Sequence, residues 1–437
     1  NGEEWHTVDQ TEALIIETID RHREEILEFA RDIYSHAELG YKEFQTSGKF
    51  VKKMEQLGLR TEKGFAITGV KAYLNEDKKE NASLALLGEL DALRIPEHAF
   101  ANPETNAAHC CGHHAQMAGV FGAALALTVP EIAEKLDGQV VFFATPAEEY
   151  GEIEFKNQLR EQGKIRYGGG KCELLRIGAF DDIDLCLTHH IRPGNEILVG
   201  SGTGNGFVSK VIRVLGKASH AAGAPEKGVN ALSAASLGLQ ALGLNRETFR
   251  DEDCVRVHPI ITKGGNLVNV IPDEVVVETL VRGKTIEAFT DAAKKTDRSF
   301  KAGAIAMGAK VEISTLPGYL PTLAEEALPE LKHAAEISAS GIPVIEASGH
   351  AGGSTDVGDV QHLMPVYTFN TGGVKGGLHQ IDFEVTDEEE AYIVTAKMFA
   401  LAAYGLLKEK AQRSRELVDQ YEPVFKNSAE YVEFMEQ

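Results

Sequence analysis

The chain has 437 residues, and at about 150 residues per domain this length fits two or three domains with ample material for a hydrophobic core. Apolar residues make up 43% and charged residues 25%, a globular composition that argues against disorder, and no apolar run reaches the roughly 18 residues needed to span a bilayer. Lys and Arg number 44 against 66 Asp and Glu, and the resulting charge of -22 repels phosphate backbones and anionic head groups, so neither nucleic acid nor a membrane is expected as a partner.

The chain starts Asn1-Gly2-Glu3-Glu4, with no basic region leading into an apolar stretch, so no signal peptide is expected there; the missing initiator Met points to a trimmed or recombinant start. Residues 10–58 read as mostly helical. Ile15, Ile16, Ile19, Ile26, Leu27, Phe29 and Ile33 recur at helical spacing among charged residues, and a further helix is expected at about 44–57, after Gly40. Residues 69–74 and 82–87 are short apolar runs bounded by polar turns and read as strands. A helix of small residues is expected over 117–128, followed by strands at 140–144 and 184–188 with the composition of a buried parallel sheet. Strands alternating with helices predict an α/β layer architecture.

The character changes near residue 200, where Gly200, Gly202, Gly204 and Gly206 mark a junction. Beyond it the pattern predicts a strand at 208–215, a helix at 231–244, strands at 255–262 and 275–281, a helix at 286–307 and a strand at 310–314. That is the β-α-β-β-α-β order of a ferredoxin-like domain. The expected division is a catalytic α/β domain at 1–204, an inserted ferredoxin-like α+β domain at 205–315, and the rest of the catalytic domain at 316–437. A charged helical tail over about 387–415 precedes a polar extension with no legible purpose.

Four features carry chemistry. In His109-Cys110-Cys111-Gly112-His113-His114, five transition-metal donors crowd into six residues. On an extended loop Cys111 and His113 point the same way and can meet at one ion. Glu148-Glu149 follows a strand and the turn Thr145-Pro146-Ala147, where open α/β sheets place their sites. A carboxylate pair there can divide labour, one binding metal while its neighbour takes and returns a proton. His189-His190 closes another strand, and His379 sits in a loop after Gly376-Gly377. Any one of these His residues alone is more often structural than a ligand. Together Cys111, His113, Glu149, His190 and His379 supply enough donors for two metals with a shared bridge. Five cysteines, an odd number with Cys110 and Cys111 adjacent, fit a disulfide framework badly and a reducing cytoplasm well. Two glycine-rich runs fail as nucleotide motifs. The run from Gly200 to Gly206 lacks GxGxxG spacing, and Gly168-Gly169-Gly170-Lys171 lacks the first glycine and the Ser/Thr of a phosphate loop.

Gly88-Glu89-Leu90-Asp91-Ala92-Leu93, Cys111-Gly112-His113, Pro146-Ala147-Glu148-Glu149, Asp181-Asp182-Ile183-Asp184 and Gly353-Ser354-Thr355-Asp356-Val357-Gly358-Asp359-Val360 occur in that order. This ordered set resembles the co-catalytic di-metal amidohydrolase and metallopeptidase family that includes aminoacylase, the plant auxin-conjugate hydrolases and the aminobenzoyl-glutamate utilization hydrolases. The likeness runs from about His36-Ala37-Glu38-Leu39-Gly40 to His379. It implies a catalytic domain on a mixed sheet, with the inserted domain serving as lid and dimerisation surface. It also implies a bridging thiolate at Cys111, with His113, Glu149, His190 and His379 as the other ligands of two divalent ions, zinc or manganese, and Glu148 as general base.

In Gly216-Lys217-Ala218-Ser219-His220-Ala221-Ala222 the resemblance makes His220 an oxyanion stabiliser, in many members reaching the dimer partner's site. Asn269 and Arg282 stand where relatives bind the substrate carboxylate, a role that suits the planar fork of Arg. Three departures are visible. Glu89-Leu90-Asp91 replaces the commoner His-x-Asp pair, His114 replaces Asp or Asn, and the charged stretch at 151–167 is longer than expected and can narrow substrate access. His190 is favoured over His189 because a His-x-x-Pro pattern ends at Pro193, although His189 remains an alternative. The expected function is hydrolysis of the amide bond of an N-acyl, aminobenzoyl or aminoacyl amino acid by a cytoplasmic homodimer or larger homo-oligomer. A dipeptidase of the same family is the first alternative. A metal-independent cysteine hydrolase using Cys111 and a non-catalytic metal-binding protein are alternatives of other classes.

Overall fold

In a computed structural model, residues 7–437 are described, so the reading of Asn1-Gly2-Glu3-Glu4 lies outside the described residues. The chain separates into two units. The first comprises the described residues up to Gly202 together with Leu323–Gly349 and Asp359–Gln437, and the second comprises Thr203–Thr322 with His350–Gly358.

The first unit is built on an eight-stranded mixed sheet in the order Arg60–Phe65, Gly69–Leu74, Gln139–Thr145, Ser83–Glu89, Leu185–Ile191, Val366–Thr371, Ile197–Val199, Val344–Glu346. Its middle strands, from Gln139–Thr145 through Val366–Thr371, run parallel. Ser83–Glu89 and Gln139–Thr145 are buried along their whole length, which is why their sequences read as unbroken apolar runs rather than alternations. Because these strands are parallel, their carboxyl ends open on one edge, and Glu89, Glu148, Glu149, His190 and the loop leading to His379 all follow from that edge.

Helices form where the chain supplies starts and small residues. Asp9 and Glu12 make a reciprocal capping box at the head of Gln10–Arg21. The helix His113–Leu127 is buried on every side. At Gly122 an added Cβ would lie 2.5 Å from the Cβ of Ala396, and at Gly119 a Cβ would lie 2.5 Å from Thr395, so Gly122→Ala would force the two central helices apart. The partner helix, Thr395–Gln420, follows a π-helical turn at Glu389–Val394 and breaks where Glu409, Lys410 and Ala411 take φ of 53°, 61° and 55°. Among the described residues, Glu389–Gln420 is the one segment long and apolar enough to cross a membrane, yet 89% of its most apolar window is buried within the fold.

Three sequence expectations shift here. The predicted helix at 117–128 begins at His113, because Gly112 takes a left-handed turn (φ 74°) that starts the helix directly after Cys111. The loop expected to carry both Cys111 and His113 therefore ends at Gly112. The strand expected at 184–188 extends through Ile191 and takes in both His189 and His190. The polar extension at the C-terminus ends in a helix, Ser428–Met435, whose wholly buried Tyr431 donates from its hydroxyl to Asp359 at 2.7 Å. Ser428 reaches Asp181 at 3.0 Å and Arg166 pairs with Glu436 at 2.7 Å, so this extension packs against the Gly170–Arg176 region.

The second unit has its own antiparallel sheet, ordered Arg256–Val257, Glu274–Gly283, Gly206–Leu215, Lys310–Pro317, with Ile260–Lys263 also paired to Glu274–Gly283. The helices Ala231–Asn245 and Ile286–Met307 pack on it around Ile212, Val214, Val275, Val277 and Phe300. Glu274–Gly283 alternates buried with half-buried positions residue by residue, the period expected of a sheet covered on one face. The strand predicted at 255–262 is two short strands, Arg256–Val257 and Ile260–Lys263. Residues 316–322 and 350–358, assigned from the sequence to the other domain, belong to this unit: His350–Ala351 pairs with Thr203–Gly204, and Gly204 bridges to Thr322.

Candidate metal centre and active site

The carboxyl edge of the parallel strands brings together donors spread over most of the chain. Cys111 Sγ lies 3.3 Å from His190 Nε2 and 3.2 Å from His379 Nε2, and His379 Nε2 lies 3.2 Å from Glu149 Oε1. Two donor groups result, Cys111 with His113 and His190, and Cys111 with Glu149 and His379, each with its ligand atoms within 4.8 Å of one another. A third, Glu89 with His113 and Glu148, adjoins the first. The Cys111 thiol is common to the first two.

Each donor is aimed by its neighbours. His113 directs Nδ1 at the carbonyl oxygen of Asp91 (2.7 Å), so Nδ1 carries the proton and the Nε2 lone pair is left for the cluster. His190 does the same, with Nδ1 donating to the carbonyl of Ile191 at 2.7 Å. Glu149 is fixed at both ends of its backbone, its N–H donating to Asp91 Oδ2 at 2.8 Å and its carbonyl accepting from Lys156 Nζ at 2.8 Å. The turn before it is tight. Ala147 has a φ of 47°, its N–H donates to Glu43 Oε2 at 3.1 Å, and its carbonyl accepts from Gly170 N–H at 2.9 Å. His379 also takes a positive φ, 64°, and its N–H is tied to the carbonyl of Cys110 at 2.9 Å. A left-handed backbone at a non-glycine residue costs about 1 kcal/mol or more and persists only where its surroundings hold it.

The electrostatics call for a cation. Burial alone would depress the His113 ring, but Glu89, Cys111 and Asp91 drive its pKa well above the usual imidazole range. Burial, with Glu149 beside it, pushes the Cys111 thiol up. Burial also raises the Glu149 carboxyl, yet His379 and His113 bring it below its ordinary value. His113 Nε2 is buried without a hydrogen-bond partner, and Glu149 Oε1, equally buried, has only the His379 ring beside it. Acceptors crowded in this way, with lone pairs unmatched by protons, fit divalent ions, beside which a coordinating thiol ionises outright. Glu148, 8% exposed, places Oε2 3.6 Å from His113 Nε2 without belonging to either donor group that shares Cys111.

The alternation of strand Leu185–Ile191 separates the two histidines left open by the sequence. His190 faces the cluster, whereas His189 is buried against Thr371 (Nε2 to Oγ1, 2.7 Å) and Phe369. His109 and His114 belong to none of the donor groups. His114 lies against Tyr34 and meets the hydroxyl of Tyr392 at 2.9 Å; burial, with His113 nearby, lowers its pKa to about 3. The stretch at 151–167 contains a helix, Ile153–Glu161, whose buried Lys156 reaches the Glu149 carbonyl. Sequence reasoning missed Lys156, Asp91 as the orienter of His113, and Lys171, which is buried 2.6 Å from Glu89. Asp91 was within reach, four residues beyond a predicted strand and inside the first of the ordered motifs.

In the second unit, His220 and Asn269 are neighbours. The N–H of Ala221 donates to the Asn269 carbonyl at 3.0 Å, and His220 bridges to Val270. His220 is exposed, and its Nδ1 accepts from the N–H groups of Ala222 and Gly223 at 3.2 and 2.9 Å. The neutral ring therefore holds its proton on Nε2, pointing a donor outward. Arg282 is held elsewhere in the unit, with Nη1 donating to Ser354 at 2.8 Å, Nε donating to His258 Nε2 at 3.1 Å, and the guanidinium 5.3 Å from the Phe207 ring centroid.

This fold and this donor set define a di-metal hydrolase of carbon–nitrogen bonds. The chain belongs to peptidase family M20/M25/M40, whose family model matches residues 85–404. Xaa-Arg dipeptidase of Mus musculus is 27% identical over 408 residues, covering 90% of this chain and 85% of that protein. N-acetyl-L-cysteine deacetylase of Bacillus subtilis is 24% identical over 403 residues, covering 90% of this chain and 90% of that protein. Among solved structures, a Bacillus subtilis protein described as a dinuclear metal binding peptidase from the M20 family superposes with a TM-score of 0.63 at 24% identity, covering 89% of this chain and 99% of that one. The family named from the ordered motifs is thus the family found.

Proposed function

We propose that the chain hydrolyses the amide bond of an N-acyl or aminobenzoyl amino acid, using two divalent ions that share Cys111. The observation that carries this reading is the pair of donor groups meeting at one thiol, with Glu148 beside them but outside both. His113 and His190 would hold one ion, Glu149 and His379 the other. Bound there, divalent ions would supply Lewis acidity, making a water easier to deprotonate and an amide carbonyl easier to attack. Thiolate ligation favours zinc over harder ions, with manganese the second choice.

Glu148 takes the proton of the attacking water and returns it to the departing nitrogen. His220, its proton held on Nε2 by the loop amides, donates to the developing oxyanion. Arg282 and Asn269 bind the substrate carboxylate. In support, the Arg282 guanidinium is half-buried, its pKa lowered by desolvation, and no carboxylate pairs with it among the described ion pairs. The relative that deacetylates an N-acetyl amino acid supports the substrate class, and the likeness to a dipeptidase keeps a dipeptide as the second reading. The partner is a second copy of the chain. Leu267 and Val268 directly precede Asn269 and, like Ile260, stand more than half exposed. Five free cysteines fit a cytoplasmic setting.

The deciding variant is Glu148→Gln. It should retain both ions by elemental analysis and lose at least about a hundredfold in rate on a panel of N-acyl amino acids and dipeptides. Near-wild-type turnover in that variant would remove Glu148 from the chemistry. Activity that survives a chelator but not thiol alkylation would replace the metal reading with a cysteine hydrolase.

A further inference from the structure

The run Gly168-Gly169-Gly170-Lys171 fails as a phosphate loop, and the structure gives it another use. The helix Gly170–Arg176 starts hard against the turn that carries Glu148 and Glu149: a Cβ at Gly170 would stand 1.6 Å from the Pro146 carbonyl oxygen. Only glycine permits that approach, and it delivers the next side chain to the sheet's carboxyl edge. Lys171 is completely buried, with Nζ 2.6 Å from Glu89 Oε2. The other oxygen, Glu89 Oε1, accepts from Gln116 Nε2 at 2.8 Å and lies 3.7 Å from His113 Nε2. Gln116 also accepts the Glu89 backbone N–H at 3.0 Å. A buried carboxylate therefore stands at ligand range of the cluster with both oxygens already engaged.

We propose that Lys171, together with Gln116, ties off Glu89 so that this carboxylate does not coordinate the ion held by Cys111, His113 and His190, leaving a coordination position for water and substrate. Lys171 is thus a positioning residue, a fixed monovalent cation that offsets one carboxylate of a strongly acidic pocket. The inference rests on the two-ion reading above. Its chemistry is a competition: a carboxylate near a divalent ion coordinates unless a cation and a hydrogen-bond donor already hold it. With Lys171 removed, Glu89 has to find another cation, and the nearest is the metal.

The test reads coordination rather than turnover. Metal-free full-length protein is loaded with cobalt(II), whose visible d–d band changes in position and intensity with the number and kind of its ligands. Three proteins are compared: wild type, Lys171→Met, and the double variant Lys171→Met/Glu89→Gln. The double variant replaces a buried ion pair by neutral groups of similar volume, which is tolerated far better than leaving one charge alone. In Lys171→Met we expect unchanged cobalt stoichiometry, a d–d band that departs from wild type in position and intensity as one ion gains a carboxylate oxygen, and a kcat lowered about tenfold or more with KM little changed. The double variant should return to the wild-type spectrum. A wild-type spectrum in Lys171→Met, or a double variant whose spectrum departs from wild type, overturns the proposal. If Lys171→Met does not fold, the double variant decides alone by the same criterion. Wild-type protein that takes up no cobalt defeats the two-ion reading itself, and that result is distinct from any difference among the variants.

Discussion

The two units carry their candidate functional residues under opposite physical regimes. In the first, the candidate metal donors are oriented by neighbours: Asp91 and Ile191 set the imidazoles of His113 and His190, and the Cys110 carbonyl holds the left-handed backbone of His379. In the second, His220 and Asn269 stand exposed on loops, with only local amides to orient the ring. Buried donors that gather charge gain from a low dielectric and a fixed frame. Groups that greet a substrate have to stay accessible until it arrives. The contrast predicts that removing a donor of the first unit shows as lost metal and lost rate together, whereas damage to the second unit leaves metal content untouched.

The largest effect should come from Cys111→Ser. A serine hydroxyl stays protonated where a thiolate would bridge, so both donor groups lose their common member at once. Elemental analysis should show both ions reduced and no measurable hydrolysis; full metal content would mean that the thiol is not the bridge. Next is His220→Ala, expected to lower kcat by about a hundredfold, as loss of a single oxyanion donor does elsewhere, with metal content and melting temperature unchanged. If metal content falls with it, the separation of roles between the two units fails. Smaller again is Arg282→Lys. Replacing a planar fork by a point charge should raise KM about tenfold with little change in kcat. A kcat effect of that size with constant KM would assign Arg282 to the transition state instead.

Legibility in the sequence followed the same division. The parallel strands were visible because strands buried on both faces need unbroken apolar runs, as in Leu84-Ala85-Leu86-Leu87. The donors stood out because Cys, His and paired Glu at strand ends are chemically conspicuous. What orients the donors was not legible, because it depends on contacts between distant segments. Lys171 lies 82 positions from Glu89, and nothing local in Gly168-Gly169-Gly170-Lys171 announces that a helix will abut the Pro146 carbonyl. The start of the His113 helix was missed for a related reason. His113 and His114 are unremarkable helix formers, and the boundary is set by the left-handed turn at Gly112, where a Cβ would strike Ile191 at 2.0 Å. The extension beyond residue 420 holds Val424, Phe425, Tyr431, Val432 and Phe434, but nothing local in it announces that Tyr431 will reach Asp359, 72 positions away.

That extension offers the mildest test of the contrast. Tyr431 is wholly buried and donates its hydroxyl to Asp359, itself buried, at 2.7 Å. Burial, with Asp359 beside it, drives the phenol well above its usual range, so it remains a donor at any ordinary pH. In Tyr431→Phe the ring packing against Phe425 and Tyr167 survives, while a buried carboxylate loses a donor, a loss of about 1–3 kcal/mol. Denaturant unfolding should register that loss. Because the Ser428–Met435 helix packs on the segment that carries Lys171 rather than on the donors themselves, metal content at saturating cobalt should not move. A Tyr431→Phe protein of wild-type stability would show that Asp359 finds its donor elsewhere. A protein that has lost its ions would show that the frame around the metal centre extends to the last helix of the chain.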